Sequence, residues 1–141
     1  MSTAIHSSAA PRPVGAYPHA RRVGDFVFVS GMGPRTPGTD LIPGGPTRDA
    51  QGEPLPYDVA AQTRQVIANI EAVLTDAGCA LSDVVDVTVF LTDMARDFKA
   101  FNAVYGELLG DIGPTRTTVE VRALPTPIAV ELKAIAWRPL P

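Results

Sequence analysis

The sequence predicts an α+β fold, a two-layer domain with two helices packed on one face of a mixed sheet. Two segments repeat apolar residues at helical spacing. Five shorter stretches carry the branching or alternation of strands, in the order ββαβαββ. At 141 residues, with 45% hydrophobic and 19% charged residues, the chain suits one domain with one core.

Residues 1–13 are rich in Ser, Ala and Pro and read as a flexible N-terminal arm. A short strand around His19–Arg22 is expected to pair across a Gly24-Asp25 turn with a buried strand, Asp25–Gly31. Residues 32–57 hold six prolines, many glycines and almost no periodicity, which predicts a long loop that is either disordered or functional. Asp58 is placed to cap a helix over Val59–Ala77, with Val59, Val66, Ile67, Ile70 and Leu74 on one face and Gly78 as its stop. Asp83–Leu91 alternates as a strand. Thr92 or Asp93 caps a second helix carrying Phe98, Phe101, Tyr105 and Leu108, ended by Gly110.

The last two strands are Pro114–Val121 and Ile128–Trp137. In the first, Thr117, Val119 and Val121 share the face expected under the helices, and Arg116, Thr118, Glu120 and Arg122 share the other. In the second, Val130, Leu132, Ala134 and Ala136 face the helices, and Glu131, Lys133, Ile135 and Trp137 face away. Ile135 and Trp137 are too apolar for a face in plain solvent. That pattern favours packing against copies of the same chain over a sheet with one wet face.

The formal charge of −3 and the scattered basic residues give no cationic field, which argues against nucleic acid as a partner. No apolar run is long enough to span a bilayer, and the N-terminus lacks the hydrophobic region of a secretory signal. Cys79 is the only cysteine and fits a reducing compartment, so a cytoplasmic location is expected, with no membrane partner. No ligand-spaced His/Cys/Asp cluster, dinucleotide fingerprint or phosphate loop occurs, so neither a metal nor a cofactor is expected.

Arg116 and Glu131 fall together on the mixed face, on strands expected to be neighbours. A guanidinium forks around a carboxylate, and a shielded carboxylate acts as general base or acid. The pair therefore reads either as a site for an acidic substrate or as a surface salt bridge. Tyr17, in a turn-prone "VGAYPHA", either closes over a pocket or packs. His19 is either a proton carrier or a solvated side chain. Asn102 reads as an exposed helix position or a side chain bonded to backbone.

Taken in order, "VGAYPHA" (14–20), "VFVSG" (27–31), "AAQTRQVIANIEAVLTDAG" (60–78), "VVDVTVFLTDM" (84–94), "FNAVYGELL" (101–109), "GPTRTTVEVRALP" (113–125) and "VELKAIAW" (130–137) resemble the RidA (YjgF/UK114) family of enamine and imine deaminases. The likeness covers nearly all of residues 14–141. It implies a chorismate-mutase-like domain assembled as a homotrimer with active sites between subunits. On that resemblance Arg116 matches the substrate-carboxylate arginine and Glu131 the water-activating glutamate. Tyr17 matches the pocket-closing tyrosine, and Ser30, Gly31 and Asn102 match pocket-lining or pocket-supporting positions. Thr118 stands where many members carry cysteine, and the 32–57 loop exceeds the usual pattern. The implied activity is hydrolysis of a carboxylate-bearing enamine or imine to ammonia and a keto acid, without cofactor. The wording is closest to 2-aminomuconate deaminases, and 2-iminopropionate is the simpler candidate substrate. The alternatives are a non-catalytic trimer that binds small acids or proteins, and a family enzyme recruited to another unstable intermediate.

Overall fold

The computed structural model describes residues 2–141. Six strands form one sheet: β1 (Ser2–Ile5), β2 (Ala20–Val23), β3 (Phe26–Val29), β4 (Val84–Leu91), β5 (Thr115–Glu120) and β6 (Val130–Trp137). Two helices, α1 (Val59–Asp76) and α2 (Met94–Leu109), pack on one face and against each other. The sheet order is β1-β2-β3-β6-β4-β5. Every neighbouring pair is antiparallel except β4 and β5, which run parallel because α2 carries the chain back between them.

Local signals act as the sequence predicts. Gly24, at φ 59°, turns β2 into β3. Asp58 Oδ1 accepts from the amides of Ala60 (2.9 Å) and Ala61 (3.3 Å) at the start of α1, and Asp93 Oδ1 accepts from the Arg96 amide (3.1 Å) at the start of α2. Val66, Ile67, Ile70, Val73 and Leu74 of α1 and Phe101, Tyr105 and Leu109 of α2 bury their apolar surface over Val27, Val29, Val87, Val89, Leu91, Leu132, Ala134 and Ala136. Each such side chain of Leu or Phe size contributes about 1.5–3 kcal/mol on leaving water.

Three local expectations need correcting. First, Ser2–Ile5, read as part of a flexible arm over residues 1–13, pairs with Val23–Ala20 as an edge strand. The segment behind it is pinned by His19, which is buried. Its Nδ1 accepts from the Ser7 amide (3.0 Å), so Nε2 carries the proton and donates to the Pro11 carbonyl (2.7 Å). His19 is thus neither a solvated side chain nor a free proton carrier.

Second, β3 is half buried. Val27 and Val29 face the helices, while Phe26 and Phe28 stand 43% and 39% exposed on the opposite face.

Third, β5 is flipped relative to expectation. Its parallel register sets Arg116 beside Val87 and Thr118 beside Val89, both valines buried under the helices. Adjacent in-register residues share a face, so Arg116 and Thr118 point to the helix side and Thr117 and Val119 to the open side. The aromatic side chains of α2 make that orientation favourable for Arg116, as described below.

Val23, Phe26, Phe28, Ile135, Trp137 and Val119 consequently belong to one uncovered sheet face. Val85 is exposed as well, because a bulge between Val84 and Asp86 takes it out of the alternation.

Candidate active site

The sequence-selected residues divide into two groups that do not meet within one chain. Glu131 lies beside Phe90 of β4 on the open side of the sheet, and Arg116 beside Val87 on the helix side. The sequence predicts that the two strands are neighbours; they are not, because β4 runs between them. A salt bridge between Arg116 and Glu131 in the same chain is therefore excluded by geometry.

The Glu131 group lines a cavity of about 190 Å³ walled by Pro11–Val14, Tyr17, Ser30, Gly31, Arg35, Thr126 and Ile128. Burial pushes the Glu131 carboxyl above the usual carboxylate range. Gly31 makes room for it. A Cβ at position 31 would lie 2.6 Å from Glu131 Oε2. Ser30 Oγ donates to the Pro18 carbonyl (2.7 Å) and its amide donates to the His19 carbonyl (2.9 Å), which ties the Tyr17 segment to the end of β3. Tyr17 is partly exposed, and its hydroxyl accepts from the Val14 amide (3.2 Å). The cavity thus has a carboxyl on one wall and a turn carrying a tyrosine at its rim.

The Arg116 group lies between β5 and α2. The guanidinium carbon sits 4.8 Å from the Tyr105 ring centroid, 5.5 Å from Phe101 and 6.0 Å from Phe98. These faces attract a cation without neutralising it. Among the described residues no carboxylate lies within ion-pair distance of Arg116. Asn102 Oδ1, Tyr105 Oη and Thr118 Oγ1 are buried without a hydrogen-bond partner in the chain. Asn102 is therefore not a plain exposed helix position. A charge with no counter-ion beside unsatisfied polar atoms is suited to an incoming anion.

Sequence reasoning missed Phe98, Phe101 and Tyr105 as the platform of this arginine. Their spacing of three and four marks them as helical in the sequence, but carries no sign that an arginine of β5 lies against them. Among the described residues no group of His, Cys, Asp and Glu could hold a metal ion, and no helix is long and apolar enough to cross a membrane.

The fold and these two clusters define a small α+β protein of the chorismate-mutase-like type, with a half-buried carboxyl lining a cavity and an unpaired guanidinium against the aromatic side chains of α2. Residues 7–138 match the family described as Endoribonuclease L-PSP. A RutC family protein of Pyrococcus abyssi is 42% identical over 134 residues, covering 95% of each chain. The crystal structure of RidA from Psychrobacter sp. PAMC 21119 is similar at a TM-score of 0.82 and 35% identity, over 96% of this chain and 98% of that one. TdcF of E. coli with bound serine gives 0.81 and 33%, over 96% and 98%. The chain belongs to the RidA/YjgF family. The family-level activity that goes with this membership is hydrolytic deamination of small reactive enamines and imines.

Proposed function

We propose that the protein hydrolyses a carboxylate-bearing imine, reached directly or by tautomerisation of the enamine, at sites completed between copies of the chain in a homotrimer. The observation that carries this reading is the opposed orientation of Arg116 and Glu131, each without a charged partner among the described residues. Arg116, with Thr118 and Asn102, holds the substrate carboxylate from one subunit. Glu131, with Tyr17, Ser30 and Gly31, comes from the next. The uncovered apolar sheet face supplies surface for such an assembly.

In this mechanism Glu131 takes a proton from a water as the water oxygen attacks the imine carbon. The C=N π pair moves to nitrogen. The same carboxylic acid then returns the proton to nitrogen, giving the carbinolamine. A second proton passes through the carboxyl from the carbinolamine hydroxyl to nitrogen, the C–N bond breaks as the carbonyl forms, and ammonia leaves. Overall, imino acid and water give keto acid and ammonia. A carboxyl with a raised pKa is suited to both the basic and the acidic role. Substrates of the 2-iminopropionate or 2-aminomuconate kind have the chemistry this site takes.

The test mixes two inactive variants. Arg116→Ala and Glu131→Gln are each expected to lose most ammonia release from 2-iminopropionate formed in situ. Refolded together at equal amounts, they are expected to regain about a quarter of wild-type activity, since random assembly reunites intact halves at that frequency. No recovery on mixing places the site within one chain. Acid binding without any ammonia release by the wild type makes the protein a binding module.

A further inference from the structure

Two arginines that the deamination mechanism does not use line the Glu131 cavity: Arg12, which is exposed, and Arg35. Arg35 belongs to the 32–57 loop and lines the cavity. Its side chain is only 18% exposed, yet among the described residues its sole ion-pair partner is Asp40, at 3.9 Å and itself fully exposed. An ion pair so long and so solvated contributes little. Its other contact is a hydrogen bond donated to the Arg12 carbonyl (2.5 Å). The guanidinium is therefore largely withdrawn from water without being neutralised.

Its position is held from behind. Asn69 of α1, 1% exposed, donates from Nδ2 to the carbonyls of Gly33 (3.0 Å) and Arg35 (2.8 Å). Gln65 Nε2 donates to Asn69 Oδ1 (2.9 Å) and fixes that amide in turn. Gly33 leaves room for the Ile128 side chain, whose Cδ1 a Cβ at position 33 would meet at 2.9 Å. A buried amide that grips the backbone on both sides of Pro34 presents Arg35 in one place.

The loop also opens a larger, mostly apolar groove walled by Leu41, Ile42, Pro46, Leu55 and Pro127, which shares Val14, Arg35 and Thr126 with the Glu131 cavity. Arg35 thus stands where the two spaces join.

We propose that Arg35 is a specificity-determining residue that binds a second, distal carboxylate, so that the preferred substrates are imino acids of dicarboxylic type. The inference rests on the deaminase reading for its substrate chemistry, but the anion subsite itself can be measured without turnover. A group held at Glu131 and extending toward the groove passes Arg35. A guanidinium there rewards a carboxylate with a two-pronged, charge-assisted contact and gives a methyl group nothing comparable.

The experiment compares glutarate with butyrate as inert probes by calorimetry, using wild type, Arg35→Met and Arg35→Lys. It then compares ammonia release from 2-iminoglutarate and 2-iminobutanoate, each formed in situ by an amino acid oxidase. Wild type is expected to bind glutarate about tenfold or more tighter than butyrate, and to show a similar preference in kcat/KM. Arg35→Met erases both preferences by weakening glutarate and 2-iminoglutarate far more than butyrate and 2-iminobutanoate. Arg35→Lys keeps part of them. All three proteins are expected to melt alike, because Asn69 holds the main chain.

Equal loss on mono- and diacids in Arg35→Met, or no glutarate preference in wild type, overturns the subsite. If ammonia is released while either result holds, the deaminase reading survives and the subsite falls. If no variant releases ammonia but glutarate preference still vanishes with Arg35→Met, the subsite stands and the deaminase reading falls.

Discussion

Gly31 and Glu131 are fitted to each other: a methyl group at position 31 would place carbon 2.6 Å from the Glu131 carboxyl oxygen. Gly31→Ala is therefore expected to swing the carboxyl aside rather than unfold the chain, since the atom met is the far end of a flexible side chain. Displacing a reacting group by about an ångström costs on the order of a hundredfold in rate. The expected result is a fall of that size in kcat with the melting temperature nearly unchanged. A large drop in melting temperature with kcat retained in the folded fraction argues that Glu131 is not the reacting carboxyl.

Phe28 pairs with Ile135 on the open sheet face, with Phe26, its ring centroid 6.4 Å away, paired to Trp137. Phe28→Glu places a charge in the middle of that surface without touching the helix-side core. Sedimentation is expected to show an oligomer for wild type and a monomer for the variant, with far-UV dichroism unchanged and deaminase activity lost along with the assembly. A monomeric wild type, or a variant that still assembles, removes this face as the interface.

Tyr57, the last residue of the long loop, donates its hydroxyl to Asp97 Oδ2 at 2.6 Å, and Asp97 is only 2% exposed. Arg96 stacks on the Tyr57 ring at 3.7 Å and donates to the Tyr57 carbonyl. Burial raises the Asp97 pKa above its ordinary value of 3.8, while the Tyr57 bond and Arg96 pull it back. A carboxyl whose pKa is higher folded than unfolded adds stability that is complete below the unfolded value and lost as pH rises through the folded one. Asp97→Asn is thus expected to gain on wild type as pH rises from the acid side of that window toward neutrality. Tyr57→Phe raises the Asp97 pKa further and is expected to cost about 1–3 kcal/mol at neutral pH, with the deficit narrowing as Asp97 protonates. Melting temperatures of the three proteins across acid to neutral pH check both signs. A Tyr57→Phe deficit that does not change with pH shows that Asp97 does not sense the lost hydrogen bond.

Signals that act over a few residues were legible in the sequence. Asp58 and Asp93 cap their helices because a cap involves only the next three amides, and the α1 stripe and the faces of β6 follow from periodicity alone. What failed depends on neighbours distant in sequence. The alternation of Arg116, Thr118 and Glu120 was plain, but its direction depends on register with β4, and one step of register exchanges every face. The expectation that Arg116 and Glu131 sit on adjacent strands failed because β4 enters the sheet between β5 and β6. The arm was read from composition, which does not reveal that Ser2–Ile5 has an open edge of β2 to join, nor that His19 reaches the chain around Pro11. Arg35 was invisible as a candidate because its significance lies in Asn69, thirty-four positions away.

Gln62, completely buried in α1, uses its amide in two directions. Its Nε2 donates to the Gly45 carbonyl (2.9 Å) and its Oε1 accepts from the Ala129 amide (2.8 Å). Together with Asn69 it fastens the proline-rich loop to the same helix that carries the core, and it binds the entrance of β6 to that loop. The consequence is thermodynamic. A segment of this length left free would have to surrender its disorder each time a ligand arrived, at a cost growing with every residue immobilised. Here that ordering is completed during folding, so a molecule entering the cavity meets walls already in place.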